Sequence, residues 1–420
     1  MRPADRALVE SQSPSSVRER PWLFGLLIAP EAIFAIGLVN GGLSFLLRNQ
    51  GVDPGRAASI VALLTVPHAI YFLWSPVTDF WMRRRTWLMV SAAAAAAAFL
   101  AAFSLPRLSS SSAVWWLFLG ACLGVVVAAA CGGMMGTLRS EINRRRAGSF
   151  YQTGSLGFGA IAVFLLVSLA ARLSHRQLGA LIAAMIVFPS LAALAAPPQP
   201  ALSEESARAA AARVWSEVKS TFLRWEAIPY TLLITAPFCS GAMIGLLPGL
   251  ARDYGVSAGQ VAWMNGAGGA LLTAGGALAA ALIPVRVRAP IAFPLAGLAN
   301  AAALAILALG LLRPAVYFTG TVLFLFTIGA CYALFTAVAL EFLGPSGKSG
   351  SSRYALINSL GNLPVAYMAY LDGRGYAHWG PRGMPGVDAI LSAAAAALLL
   401  AYFLVGGRAK KSAAESRSHA

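Results

Sequence analysis

The sequence predicts an all-α polytopic membrane protein, with twelve spanning helices in two sets of six. Three observations carry that prediction. Hydrophobic residues make up 58% of the 420 and charged residues only 11%, against roughly 25% charged in a soluble domain. Apolar runs of spanning length recur along the whole chain. The loops between them alternate between cation-rich and cation-poor. A mean hydropathy of +0.69 excludes a water-soluble globule, and it excludes a disordered chain, which needs low hydrophobicity.

Residues 1–21 are polar and basic, so no cleavable leader is expected at Met1. They are expected to form a cytoplasmic tail. Six apolar runs follow, at 22–47, 57–77, 86–105, 113–138, 149–171 and 177–196, each close to the ~20 residues that cross a bilayer. They define a first bundle over 22–196. A polar linker, 197–226, opens on Ser203-Glu204-Glu205, a capping residue and two acids at a helix start. Val214, Val218, Phe222 and Trp225 then recur at helical spacing among Arg213, Lys219 and Arg224, which predicts an amphipathic helix on the membrane surface. Six more runs, at 228–250, 257–284, 289–312, 315–343, 353–371 and 387–405, define a second bundle over 227–405. The stretch 372–387, rich in Gly and Pro, is expected to be a long loop, and 406–420 a basic cytoplasmic tail. With both termini cytoplasmic, 23 of the 32 cations fall on the cytoplasmic side and 9 on the other, as the positive-inside rule requires. The net charge of +16 is thereby a topology signal, and no nucleic-acid partner is expected.

Several chemistries are missing. Gly347-Lys348-Ser349 has the end of a phosphate loop, but Phe342 stands where its first glycine belongs. Gly157-Phe158-Gly159 lies inside an apolar run, not after a strand. No GxSxG or HExxH occurs. Cys122, Cys131, Cys239 and Cys331 are each isolated in apolar runs and are expected to be small buried hydrophobes with no redox or metal role. Neither an enzyme nor a cofactor or metal site is expected.

The most distinctive segment joins runs two and three: Phe72-Leu73-Trp74-Ser75-Pro76-Val77-Thr78-Asp79-Phe80-Trp81-Met82-Arg83-Arg84-Arg85. An acid at a helix end before an arginine cluster can form ion pairs that must break for helices to separate, which suits a conformational gate. The segment resembles the signature loop of the major facilitator superfamily, Gly-x-x-x-Asp-Arg-x-Gly-Arg-Arg. Asp79, Arg83 and Arg84 match, whereas Ser75, Phe80 and Met82 depart. Phe-Leu-Trp-Ser-Pro before the acid resembles the AmpG-type muropeptide permeases and their relatives, acetyl-coenzyme A transporters and some siderophore permeases. Ser352-Arg353-Tyr354-Ala355-Leu356-Ile357-Asn358-Ser359-Leu360 is similar to their Thr-Gln-Tyr-Ala-Leu-Leu-Ser-Ser-Leu. A weaker likeness covers 139–159, basic and then glycine-rich. The loop Pro284-Val285-Arg286-Val287-Arg288 carries no acid, so the second-half copy of the gate is degenerate. The resemblance implies the major facilitator fold and a monomeric, proton-coupled symporter of the bacterial inner membrane. Its substrate would be a small polar metabolite, muropeptide-like or siderophore-like. A transporter-shaped sensor without a transport cycle is the alternative.

A charge at mid-bilayer costs roughly 2.5–3.5 kcal/mol on insertion scales and marks function by default. Glu31, after Pro30 and about 14 Å into the first run at 1.5 Å per residue, is expected to be the one acid deep in a span. Burial disfavours its charged form, so it is the candidate proton carrier. Glu341, near the end of run ten, is a candidate gate acid, with Lys348 and Arg353 following and the Asp79 cluster across the halves as a possible partner. Polar residues within runs are candidates to line a substrate path: Asn40, His68, Tyr71, Tyr151, Gln152, Asn265, Asn358 and Asn362.

Overall fold

A computed structural model describes residues 20–74, 76–79, 81–136, 138, 141–196, 207–280, 282–284, 286–343 and 350–418. The first spanning helix shows how local sequence sets geometry. α1 runs through Leu23–Leu27, Ala29–Ala32, a π-helical stretch Ile33–Gly42, and Leu43–Asn49. Pro30, which has no N–H to donate, sits just past the break at Ile28. The π turns follow, and such turns are rare and concentrate at functional sites.

The rest of the first half comprises α2 (Pro54–Ala69, continued by Tyr71–Trp74), α3 (Arg84–Ser104), α4 (Ser111–Gly136), α5 (Glu141–Leu169) and α6 (His175–Ser190). α7 (Ala207–Phe222) lies in the linker. The second half comprises α8 (Ile228–Ile234 and Ala242–Leu250), α9 (Ala258–Asn265 and Ala267–Ala280), α10 (Ala289–Leu309), α11 (Pro314–Leu343), α12 (Gly350–Gly361 and Leu363–Trp379) and α13 (Gly383–Ser418). Among the described residues twelve spans result, all helical. Among the described residues, eight stretches are long and apolar enough to cross a membrane, one of them holding both α12 and α13. α2, α8 and α9 are not among them; α2 breaks at Ile70, α8 over 235–241 and α9 at Gly266. Three helix starts are capped by nearby side chains. The Asp53 carboxylate accepts from the Arg56 N–H, and Ser174 with Gln177 and Ser257 with Gln260 form capping boxes.

Lipid tails are as apolar as leucine, so spanning helices associate through close packing of small residues. Gly154 of α5 lies against the backbone of Gly25 in α1, and Gly276 of α9 against the Phe326 carbonyl of α11. The two halves meet along three seams, α1 with α8, α2 with α12 and α5 with α9. In the first, the Ser44 hydroxyl donates to the Gly245 carbonyl at 2.6 Å and accepts from the Gly249 N–H at 3.2 Å. Large apolar side chains such as Leu278, Leu309 and Leu398 stay exposed on the outer faces, where hydrocarbon is the solvent.

Three expectations are corrected. The stretch 372–387 is not a long loop. α12 continues to Trp379, only Gly380–Arg382 turns the chain, and α13 starts at Gly383. Glu31 is therefore not the only acid deep in a span, because Asp372 and Asp388 are also buried in helices. The cysteines are not all isolated: Cys239 and Cys331 are joined as a disulfide, while Cys122 and Cys131 are free. The pairing follows from the break in α8, where Cys239 and Gly241 both take positive φ and the unwound chain meets α11. Tyr367 of α12 donates to the freed Thr235 carbonyl at 2.7 Å.

Replacing Gly276 by Leu should block assembly, because its side chain would meet α11 backbone and overpacking alone costs about 1–3 kcal/mol. Gly157→Ala, facing open space, should be neutral. Folded yield by fluorescence-detected gel filtration checks this, and equal yields would contradict the packing described.

Candidate functional site: a buried acid–histidine pair and a seam cavity

Pro30 and the π turns that follow place Glu31 inside the bundle, 9% exposed. His68, next to Pro67 near the end of α2, brings its Nε2 to 3.1 Å from the Glu31 carboxylate. An ion that far from water needs such a partner. Tyr71, one turn beyond His68, Tyr151 on α5 and Cys131 on α4 lie within electrostatic range of the same carboxylate. The second half reaches the pair through α12. Asn362 donates to the His68 carbonyl in a long bond of 3.5 Å, and the Ser359 hydroxyl accepts from the Phe72 N–H at 3.0 Å. The latter N–H is available because α2 breaks at Ile70.

Nine residues along α1 from Glu31, Asn40 lines a cavity of about 150 Å³ between the halves. Asn265, Thr273 and Tyr332 supply its other polar groups, and Ile36, Leu156, Val163 and Ile244 much of its apolar wall. Asn265 also donates to the Val261 carbonyl at 3.2 Å and to the Tyr317 hydroxyl at 3.3 Å, which fixes its amide. Among the described residues no charged side chain lines the cavity. It can recognise a solute by neutral hydrogen bonds and apolar contact. Gln152 and Asn358 are exposed and belong to neither cluster.

The two ends of the bundle differ. At the end where α1 begins, Pro76–Asp79 forms a 3-10 turn, and the Asp79 side chain lies outside the described residues. Arg84 donates to the Gly133 carbonyl at 2.6 Å, tying α3 to the last turn of α4, while Arg83 is exposed and Arg85 half-buried. Among the described residues, the partners of Glu341 lie in its own half. It accepts from Arg288 at 2.7 Å and from the Tyr230 hydroxyl at 3.1 Å, all within the second half. The Glu341 hydrogen bond raises the Arg288 pKa above its ordinary value. The acid missing from the loop before α10 is thus supplied by α11. Lys348 and the side chain of Arg353 lie outside the described residues.

At the opposite end a clamp joins the halves. Arg48, closing α1, meets the Asp253 carboxylate at 2.9 Å and donates to the Gly249 carbonyl at 3.3 Å. Tyr376 of α12 donates to Asp253 at 3.3 Å and lies under the Arg48 guanidinium at 5.9 Å. Burial pushes the Asp253 carboxyl above its ordinary pKa, against the opposing pull of Arg48.

A family model described as Major Facilitator Superfamily matches residues 32–366. The chain belongs to the Major Facilitator Superfamily. Solved structures of transporters share its fold. A POT family transporter in complex with 5-aminolevulinic acid superposes with a TM-score of 0.68 at 12% identity, covering 91% of this chain and 95% of that one. The nucleoside transporter NupG gives 0.67 at 12%, covering 91% and 99%. A D-xylose-proton symporter gives 0.66 at 13%, covering 90% and 95%. None of the curated proteins matches.

Within this Major Facilitator chain, the clamp is what sequence reasoning missed. Arg48 counts there only as an outer-loop cation, and Asp253 lies 205 residues away. The available signal was positional, because both charges follow the first span of their half. Arg48→Gln or Asp253→Asn should loosen this end, since a hydrogen bond to a charged group is worth about 1.5–3 kcal/mol. Spin-label distances across the seam should lengthen, and the double exchange Arg48→Asp with Asp253→Arg should restore them. Unchanged distances in both single variants would contradict the clamp.

Proposed function

We propose that the chain is a proton-coupled secondary transporter of the bacterial inner membrane, with both termini cytoplasmic, that imports a small polar organic solute as a monomer. The single observation that carries the proposal is the buried Glu31–His68 pair, set on the same helix as the seam cavity. With one proton between them the two side chains are jointly neutral. Adding or removing a proton leaves an uncompensated charge in the bundle, which is expensive unless water or a new partner reaches it. The pair also sits where Ser359 and Asn362 of α12 grip the end of α2. A change of proton state would then act on the contact between halves.

The halves, over 22–196 and 227–405, would rock about the cavity in alternating access. Asn40, Asn265 and Tyr332 would bind the solute. Tyr71, Tyr151, His68 and Asn362 would line the proton route, with Gln152 and Asn358 entering only when the halves part. Asp79, Arg83, Arg84 and Arg85 would gate the cytoplasmic end in the first half, and Glu341 with Arg288 in the second. The AmpG-type motifs support a muropeptide-like or siderophore-like substrate. Such a solute exceeds the cavity's 150 Å³, so binding requires the halves to open.

Uptake into proteoliposomes under an imposed pH gradient, against a panel of anhydromuropeptides, siderophores and peptides, tests the reading. One class should accumulate uphill, and a protonophore should abolish that accumulation. Glu31→Gln should lose uphill accumulation yet keep solute counterflow. Full accumulation in Glu31→Gln would sink the role of Glu31. No accumulation of any solute, with or without the gradient, would favour a sensor.

Asn40→Ala and Asn265→Ala should each weaken solute binding about tenfold, as expected for the loss of about 1–1.5 kcal/mol of hydrogen bonding. Counterflow affinity measures this, and unchanged affinity in both would remove the cavity from the solute path.

A further inference from the structure

Two acids take no part in the site above. Asp372 on α12 is fully buried and Asp388 on α13 is 3% exposed. They flank the hairpin turn Gly380–Arg382, Asp372 eight residues before it and Asp388 six after it. At 1.5 Å per residue both lie about 9–12 Å inside the clamped end. The two helices are close here. Gly375, one turn from Asp372, packs against the backbone of Gly383 and the side chain of Val387. The two carboxyls are within electrostatic range of each other.

Their hydrogen bonding is unequal. Asp388 accepts from the Ser392 hydroxyl at 2.8 Å. Neither oxygen of Asp372 has a donor among the described residues. Among the described residues no cation is bonded to either acid: on α12 itself Arg374 lies against His378 at 3.4 Å, and Arg382 of the turn acts on Tyr254. α10, packed along α13, carries no charged residue from Ala289 to Leu309. α2, packed along α12, brings Arg56, which donates to the Ser109 carbonyl, and His68, which is bound to Glu31. Tyr367 senses Asp388 but donates its hydroxyl to Thr235. Two ionised carboxylates within range of each other, one of them with no donor and both with no counter-ion among the described residues, would carry both a desolvation penalty and mutual repulsion. The arrangement is stable only with protons aboard.

We propose that Asp372 and Asp388 form a second proton-binding site, filled while the clamped end is closed and emptied to the solution on that side when it opens. The connection to the clamp is short. Tyr376, one turn beyond Asp372, donates to Asp253, and Gly373 packs on Gly55 and Ala58 of α2 at the seam between halves. Losing protons places like charges inside the α12–α13 hairpin and works against both contacts. The closed form binds more protons, so acid on that side favours closure and alkali favours opening. The site does not depend on Glu31 being the coupling residue.

The test uses the full-length protein in lipid nanodiscs, read by infrared difference spectroscopy with isotope-labelled aspartate. In parallel, distances are measured between spin labels placed at residues 107 and 313, exposed loops of the two halves on the clamped side. An acid-form aspartate band should be present at neutral pH in the wild type and in Glu31→Gln, and should be diminished in Asp372→Asn. Raising the pH should lengthen the label distance in the wild type. The double variant Asp372→Asn with Asp388→Asn should stay short throughout. Asp388→Asn, read the same way, decides the case if Asp372→Asn does not reach the membrane. The proposal is overturned if Asp372→Asn leaves the band intact, if the double variant keeps the pH-dependent opening, or if added sodium removes the band at fixed pH, which would make the occupant a metal cation.

Discussion

A carboxylate inside an apolar bundle needs a partner, and much of this molecule is arranged around meeting that need for Glu31. The partner, His68, comes from α2, beside Pro67 and just before the break that frees the Phe72 N–H. That N–H and the His68 carbonyl are then met by Ser359 and Asn362 of the other half. The need to pair one charge therefore also fixes where the halves touch. Under the function proposed for this Major Facilitator chain, a proton added at the pair would change the charge at a surface where the halves part.

Small residues allow the rest. Where no hydrophobic force drives helices together, backbone contacts such as Gly25 with Gly154 and Gly375 with Gly383 set the packing. Those contacts also bring isolated polar groups into range of each other. The two ends of the bundle are tied by different means. Arg48, Asp253 and Tyr376 bridge the halves at one end, whereas Arg84 with Gly133 and Arg288 with Glu341 stay within a half at the other.

The fold was legible because hydropathy over ~20 residues is a property of composition, which a single sequence displays in full. Glu31 was legible for the same reason, as an acid in the middle of an apolar run. The clamp was not, since Arg48 and Asp253 are ordinary loop charges until two halves bring them together. Cys239 and Cys331, 92 residues apart, became partners only through the unwinding of α8. Asp372 and Asp388 were hidden by Gly373, Gly375, Gly380, Pro381, Gly383 and Gly386, which read as a loop by the rules of soluble proteins. In a bilayer the same glycines are contact surfaces, and the stretch is two packed helix ends.

The central claim is that solute and proton move together through the Glu31–His68 pair. Solute-driven proton flux in de-energised proteoliposomes tests it most directly. An inward gradient of the solute identified by uptake should alkalinise the external medium with the wild type. With Glu31→Gln the solute should still enter downhill while the medium pH stays constant. Equal proton movement with and without Glu31, or solute entry through the wild type with no proton movement, would contradict the account.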